Sequence, residues 1–199
     1  MTNIHISLGN SKIGKMFNFS LPPGKTCSAA ACATCYKQGC YACKSYRQYK
    51  NVRIAWDENY DICKNEPARA ERAIMEYLAK HGHKANYFRV HVSGDFFSRD
   101  YFDMWIRIAK AFPAIKFLAF TKQFGNIDPA ALPANFAVRL SDWPGVEIPE
   151  KLAAVLPVAY LDDDTRPAST FKGAYTCPGS CTICKHCFDS KSNTVFHKH

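Results

Sequence analysis

Apolar and polar positions alternate in short runs through the middle of the chain. Tyr87-Phe88-Arg89-Val90-His91-Val92 reads as a strand that leaves through Ser93-Gly94-Asp95. Lys116-Phe117-Leu118-Ala119-Phe120-Thr121 and Phe136-Ala137-Val138-Arg139-Leu140-Ser141 give two more. Val155-Leu156-Pro157-Val158-Ala159-Tyr160 gives a fourth, its proline favouring an edge or a strand start. Elsewhere the period becomes helical. Residues 67–81 begin with Pro67 and stop at Gly82, and Ser98 or Asp100 caps a helix that runs through Ala111. Residues 1–26 read as an extended lead-in ending in the turn Leu21-Pro22-Pro23-Gly24-Lys25-Thr26. From Ser28 to about Lys50 the Ala-rich composition favours helix, interrupted at Gly39.

Strands separated by helices or long crossovers predict an α/β fold with a parallel sheet, open or partial (βα) barrel-like, flanked by cysteine-rich ends. At 199 residues the chain fits one domain. Within it we distinguish a basic cysteine-rich region (1–66), an α/β core (67–165) and a C-terminal cluster-binding segment (166–199). Functional groups of parallel sheets gather at the carboxyl ends of strands. Here those ends are Ser93/Gly94/Asp95, Thr121/Lys122, Ser141/Asp142/Trp143 and Asp162/Asp163/Asp164. Asp95, Lys122 and Asp142 are therefore candidate catalytic groups that hold a cation or position a phosphate; the alternative is an ion-pair network supporting the loops. His91 alternates with Arg89 and Ser93, and joins the candidate catalytic set if their shared side faces the site.

No apolar run approaches the ~20 residues that span a bilayer, and the polar start has no signal-peptide core. A cytoplasmic protein with no membrane partner is expected. In that compartment ten cysteines point to metal before disulfides. Cys63 stands alone and reads as a core thiol. The other nine form two sets as candidate metal ligands: Cys27, Cys32, Cys35, Cys40 and Cys43, then Cys177, Cys181, Cys184 and Cys187. About eleven residues of unbroken helix would cover about 16 Å, too long for the thiols from Cys32 to Cys43 to grip one compact cluster. Either the helix breaks near Gly39, or these cysteines divide between two centres.

The C-terminal run has gaps of three, two and two residues, and Pro178-Gly179 supplies a sharp bend. Such spacing wraps a cubane, so iron–sulfur cluster(s), [4Fe–4S] in type, are expected, with zinc the second choice. Cys177-x3-Cys181-x2-Cys184 resembles the radical S-adenosylmethionine signature, in which three thiolates leave one iron open for the methionine moiety of S-adenosylmethionine. In that superfamily the motif follows the first strand; here it follows the last, and Cys187 stands ready to close the fourth corner. The run is expected to form one wall of a site shared with Asp95, Lys122 and Asp142.

The formal net charge is +9. Lys12, Lys15, Lys25, Lys37, Lys44, Arg47, Lys50 and Arg53 face only Asp57 and Glu58 in the first sixty residues, interleaved with Tyr36, Tyr41, Tyr46 and Tyr49. That mixture suits single-stranded DNA or RNA, through phosphate neutralisation and base stacking. Lys37, Lys44, Arg47, Lys50 and Tyr46 are the candidate contacts. A solvated helix face, with cations offsetting thiolate charge, is the other reading.

Five segments taken together resemble the phage and mobile-element "gene product 88" family over roughly residues 20–199. They are Cys40-Tyr41-Ala42, His91-Val92-Ser93-Gly94-Asp95-Phe96-Phe97-Ser98, Phe120-Thr121-Lys122, Leu140-Ser141-Asp142-Trp143-Pro144-Gly145 and Cys177-Pro178-Gly179-Ser180-Cys181. The resemblance implies a small cysteine-rich protein of mobile elements and brings no reaction with it. Three functions stand open. The chain is an iron–sulfur protein that binds single-stranded nucleic acid, with cleavage or modification of the strand as its enzymatic extension. Alternatively it is a radical S-adenosylmethionine-like enzyme, or a non-catalytic module stapled by zinc or a cluster.

Overall fold

An eight-stranded sheet organises the chain, seen in a computed structural model that describes residues 4–10, 13–36, 40–163 and 165–197. Lys12, Lys37, Gly39 and Asp164 lie outside the described residues. The chain starts with β1 (Ile6–Asn10) and β2 (Gly14–Phe19). Next come α1 (Ala29–Ala31), a π-helical turn at Cys32–Tyr36, α2 (Tyr41–Gln48), α3 (Lys50–Asn65) and α4 (Pro67–His81). β3 (Tyr87–Val90), α5 (Arg99–Ala111), β4 (Lys116–Thr121), β5 (Phe136–Ser141), α6 (Glu150–Ala153) and β6 (Val158–Asp162) continue the α/β alternation. β7 (Tyr175–Thr176), α7 (His186–Asp189) and β8 (Thr194–His197) complete it. The strand order is β1-β2-β3-β4-β5-β6-β8-β7, and every pairing is parallel except β1 with β2. The sheet is open, with β1 and β7 at its edges.

The capped and periodic elements lie where the pattern places them. Pro67 opens α4, and the Ser98 hydroxyl accepts from the Tyr101 N–H at the start of α5. Four expectations change. The lead-in is a hairpin, and β2 is the first parallel strand, because Met16 and Phe17 are buried on both faces and no alternation marks it. The helix expected from Ser28 to Lys50 is broken into α1, the π turn and α2. β3 stops at Val90, because His91 takes a left-handed φ of 64° and turns its side chain out of the alternation. The fourth predicted strand begins at Val158 and not at Val155: Pro157 marks the strand start, the second of its two expected places, and β6 pairs on both sides and is no edge.

Helices cover one face of the sheet. Ile62 and Cys63 from α3, Ala70, Ile74 and Leu78 from α4, and Phe102, Trp105 and Ile108 from α5 bury Phe17, Phe19, Phe88, Val90, Phe117, Ala119, Val138 and Leu140. Phe88 lies at the middle, its ring 5.3 Å from those of both Trp105 and Phe117. The opposite face, with Tyr87, Arg89, Leu118, Phe120 and Arg139, is covered by the cysteine-rich chain between β7 and β8. Phe88→Ala is expected to cost about 3–5 kcal/mol by leaving a cavity at this centre. A lowered urea midpoint with an unchanged slope is the measurement.

Two candidate cysteine centres

The C-terminal thiols ring a space on the sheet's second face. Cys177, Cys181, Cys184 and Cys187 line one cavity of about 30 Å³, together with Arg89, Phe120 and Tyr175. Gly179, at φ +79°, makes the expected bend and donates its N–H to the Cys177 sulfur at 3.4 Å. The Tyr175 hydroxyl lies 3.5 Å from the Cys184 sulfur, and the Thr194 hydroxyl 3.9 Å from that of Cys187. Among the described residues no three His, Cys, Asp or Glu side chains converge as ligands of a single ion. Side-chain rotation would be needed to admit a group larger than about two waters.

Two arginines hold this face. Arg139 is wholly buried and spends its fork on the terminal segment. It donates to the carbonyls of Cys187 (3.1 Å), Ser192 (2.7 Å), His186 (3.4 Å) and Ser190 (2.7 Å), and to the Thr194 hydroxyl (3.0 Å). Arg89 is half-buried, 4.2 Å over the Phe120 ring, with its Nε donating to the His91 carbonyl at 3.3 Å. Burial pulls both guanidinium pKa values down. Cys187 opposes this at Arg139, whereas Tyr41, Cys181 and Cys187 do so at Arg89. Neither arginine has a carboxylate partner among the described residues. The sequence signal was a lone arginine inside an apolar parallel strand, at Val138-Arg139-Leu140.

The N-terminal thiols lie elsewhere, across the carboxyl ends of β3, β4 and β5. Asp95 donates its N–H to the Thr26 hydroxyl at 3.1 Å, and Gln123 Nε2 donates to the Thr26 carbonyl at 3.0 Å. Tyr41 donates its hydroxyl to the Val92 carbonyl. A side chain at Gly94 would strike Leu21 and Thr26 at 2.6 and 2.8 Å, and one at Gly145 would strike Thr34 at 2.8 Å. Only glycine permits these approaches. Cys40 is the N-cap residue of α2 and accepts the Cys43 N–H on its carbonyl oxygen at 3.0 Å. The neighbouring Cys35 thiol, with the N–H groups at the start of α2, pulls its pKa down to about 5. Cys35, the other member of that pair, is raised. Burial pushes Cys27 up to about 11 and Cys43 up to about 12. The Cys32 thiol donates to the Gly24 carbonyl at 3.3 Å.

This placement corrects the expected shared wall: the N-terminal thiols, and not the C-terminal run, sit beside Asp95 and Lys122. Asp95 is buried, accepting from the Thr121 hydroxyl (2.6 Å) and from the N–H groups of Phe96 (2.8 Å) and Lys122 (2.7 Å). Lys122 Nζ lies 5.3 Å over the Trp143 ring. Asp142 is committed to a 2.7 Å ion pair with Arg166. His91 is turned into the helix-side core, where Nε2 pairs with the Tyr101 hydroxyl at 2.9 Å and Nδ1 has no partner among the described residues. Burial, with the Arg89 charge, pushes its pKa down to about 3.

Of the basic residues, Lys44, Arg47 and Lys50 are exposed. Tyr46 is committed: its hydroxyl donates to Asp57 at 2.8 Å, and its ring stacks on Trp56. Among the described residues of this region the rings open to solvent are those of Tyr41 and Tyr49, at 61% and 53% exposure. No helix among the described residues is long and apolar enough to cross a membrane.

A family model described as "Gene product 88" matches residues 3–172. The chain is 24% identical, over 97% of its own length and 92% of the relative's, to the Gene 88 protein of Mycobacterium phage L5. To the Gene 88 protein of Mycobacterium phage D29 it is 29% identical, over 60% of this chain and 53% of the relative. No solved structure matches.

Two variants check the electrostatics. Arg139→Lys keeps the charge but loses the fork, leaving buried carbonyls unpaired at a cost of about 1–3 kcal/mol each. Hydrogen exchange should accelerate across residues 186–195 while α4 and α5 stay protected. His91 has a folded pKa depressed below its ordinary 6.5. Its contribution is therefore full above that value and is lost as pH falls toward about 3, on the order of 4 kcal/mol. His91→Asn, which tolerates the left-handed backbone, should flatten the stability-against-pH slope in that window.

Proposed function

Since the chain belongs to the gene product 88 family of phage proteins, we propose that it is an iron–sulfur protein that binds single-stranded nucleic acid, with a [4Fe–4S] cluster on Cys177, Cys181, Cys184 and Cys187. One observation carries the reading: four thiols line a cavity with Arg89, Arg139 holds the backbone of Cys187 behind it, and neither arginine has a carboxylate partner among the described residues. A buried cation without an anion is costly. Four thiolates around a doubly positive cluster core leave two negative charges, which two arginines balance.

Zinc with four thiolates would carry the same charge. It would also draw the sulfurs to about 2.3 Å from one point, whereas a cubane takes its ligands at separate corners. The dense run with a glycine bend suits the second geometry. When bound, such a cluster supplies one-electron transfer. The chain's own residues set its surroundings. Arg139 fixes the backbone carrying Cys187, while Tyr175 and Thr194 place hydroxyls beside sulfur, a lever on potential. With Cys187 on the same cavity as the other three, the C-terminal run is read as closed, and S-adenosylmethionine is not assigned to it.

The strand-binding part rests on the exposed Lys44, Arg47 and Lys50 with the open rings of Tyr41 and Tyr49. Protein purified without air should be brown, with acid-labile sulfide equal to iron; colourless protein with stoichiometric zinc would overturn the cluster. Cys187→Ala should remove the visible absorption of the C-terminal centre. Replacing Lys44, Arg47 and Lys50 together by Ala should weaken binding of a labelled single strand. The slope of log affinity against log salt should fall by about 2.

A further inference from the structure

The two edges of the sheet are built differently. β7 is two residues long, and Pro178 follows shortly after it. Shortness and proline both keep an edge from pairing with other chains. β1 has neither, and from Ile4 to Asn10 the chain carries no Asp, Glu, Lys or Arg. Its register breaks between Leu8 and Asn10, where Gly9 takes a φ of +74°, and this leaves Ile6–Leu8 regular. The direction of the backbone groups on that stretch follows from its neighbours. The Phe19 carbonyl accepts from the His91 N–H, so Phe19 turns its backbone groups toward β3 and Asn18 turns its own toward β1. Asn18 pairs with Ser7, whose groups therefore point inward. Those of Ile6 and Leu8 point outward, where no described residue meets them. The side chains agree with this. Leu8 pairs with the fully buried Phe17 yet is itself 41% exposed, and Ile6 pairs with Phe19 and packs on the helix-side core. That core has an uncovered rim along β1.

We propose that β1 is the interface of a homodimer, in which a second copy of the chain pairs with it antiparallel about a two-fold axis at Ser7 and makes the two sheets continuous. An isologous contact needs a self-complementary surface. Ile6-Ser7-Leu8 is one. Antiparallel pairing about Ser7 sets Ile6 against Leu8 of the second copy on both sides of the axis. It joins their outward N–H and C=O groups in reciprocal hydrogen bonds and places Ser7 against Ser7. The apolar rim of each core is then covered by the other. A charged peptide would find no opposite charge on this strand, whereas an identical strand leaves no group unmatched. So short a contact suits a reversible dimer rather than a permanent one. The inference goes beyond the iron–sulfur and strand-binding readings and depends on neither.

The test is sedimentation of the full chain, under reducing conditions, over a wide range of concentration. The mass should rise from one chain to two as the protein is concentrated; a mass of one chain throughout overturns the proposal. Residue-resolved hydrogen exchange locates the contact. The Ile6 and Leu8 amides should exchange freely in dilute protein and slow as the dimer fills, while the Ser7 amide, already bonded to β2, changes little. A dimer that leaves the Ile6 and Leu8 amides as fast as in the monomer is formed elsewhere, and the proposal fails. Leu8→Lys sets an ammonium against Ile6 of the second copy and removes an apolar contact that the two-fold axis counts twice. The dissociation constant should rise about tenfold for each copy, about a hundredfold in all. Leu8→Ile keeps an apolar strand former and should dimerise as the wild type does. A folded Leu8→Lys protein that dimerises as tightly as the wild type rejects β1 as the interface. If Leu8→Lys does not fold, by circular dichroism, the exchange of Ile6 and Leu8 in the wild type decides.

Discussion

Arg139 stands buried in the middle of β5 with no carboxylate partner among the described residues, and the far end of the chain is shaped around that fact. Four backbone carbonyls and one hydroxyl between His186 and Thr194 turn inward to accept its five bonds. A guanidinium can do this because its donors form a rigid planar fork; an ammonium cannot. The consequence is mechanical. The segment after Cys184 is fixed to the sheet at its centre, and β8 is delivered beside β6 with its pairing satisfied. The sheet thereby acquires a second covering layer, made of loop and cysteine in place of helix.

That asymmetry divides the molecule's labour. The helix-side face is an aromatic and aliphatic core of ordinary kind, closed by α3, α4 and α5. The second face keeps charge under cover, with Arg89 stacked on Phe120 and Lys185 over Tyr87. Apolar packing could have filled the same volume more cheaply, since burying an unpaired cation costs more than burying a methylene of equal size. Cations placed against four thiols make sense where those thiols carry negative charge. The carboxyl ends of the strands form a third region. There Asp95 ties three loops together through Thr26, Thr121 and the Lys122 N–H, and holds the N-terminal cysteine segment over the sheet.

Much of this could be read from residue patterns, and the failures have identifiable causes. α4 and α5 were legible because a proline, a serine cap and a 3.6-residue period agree. β4 and β5 were legible because six apolar-rich residues end in a polar turn. β2 was not, since its residues are buried on both sides and no alternation marks a face. Losing β2 had a large effect, because that strand decides which cysteines reach the strand ends. The clustering of thiols was visible; their assignment to two separate places was not. The role of Arg139 was not legible because its partners are four backbone carbonyls and one hydroxyl 47 to 55 positions away, which no motif encodes. His91 misled because alternation assumes an extended backbone, and its φ of 64° is not one.

The two cysteine sets remain connected through one pair of side chains. Tyr41, next to Cys40, reaches across to the Val92 carbonyl at the exit of β3. Arg89, from the same strand, lies within charge range of Tyr41 on one side and of Cys181 and Cys187 on the other. Negative charge at Cys181 and Cys187 acts on Arg89 directly, whereas Cys40, Cys35 and Cys27 act on Tyr41 beside it. Burial disfavours the Arg89 guanidinium, so negative charge on the C-terminal thiols eases that burial. The one strand that separates the two cysteine sets thus carries, at its end, a cation that answers to the C-terminal set and a phenol that answers to the N-terminal one.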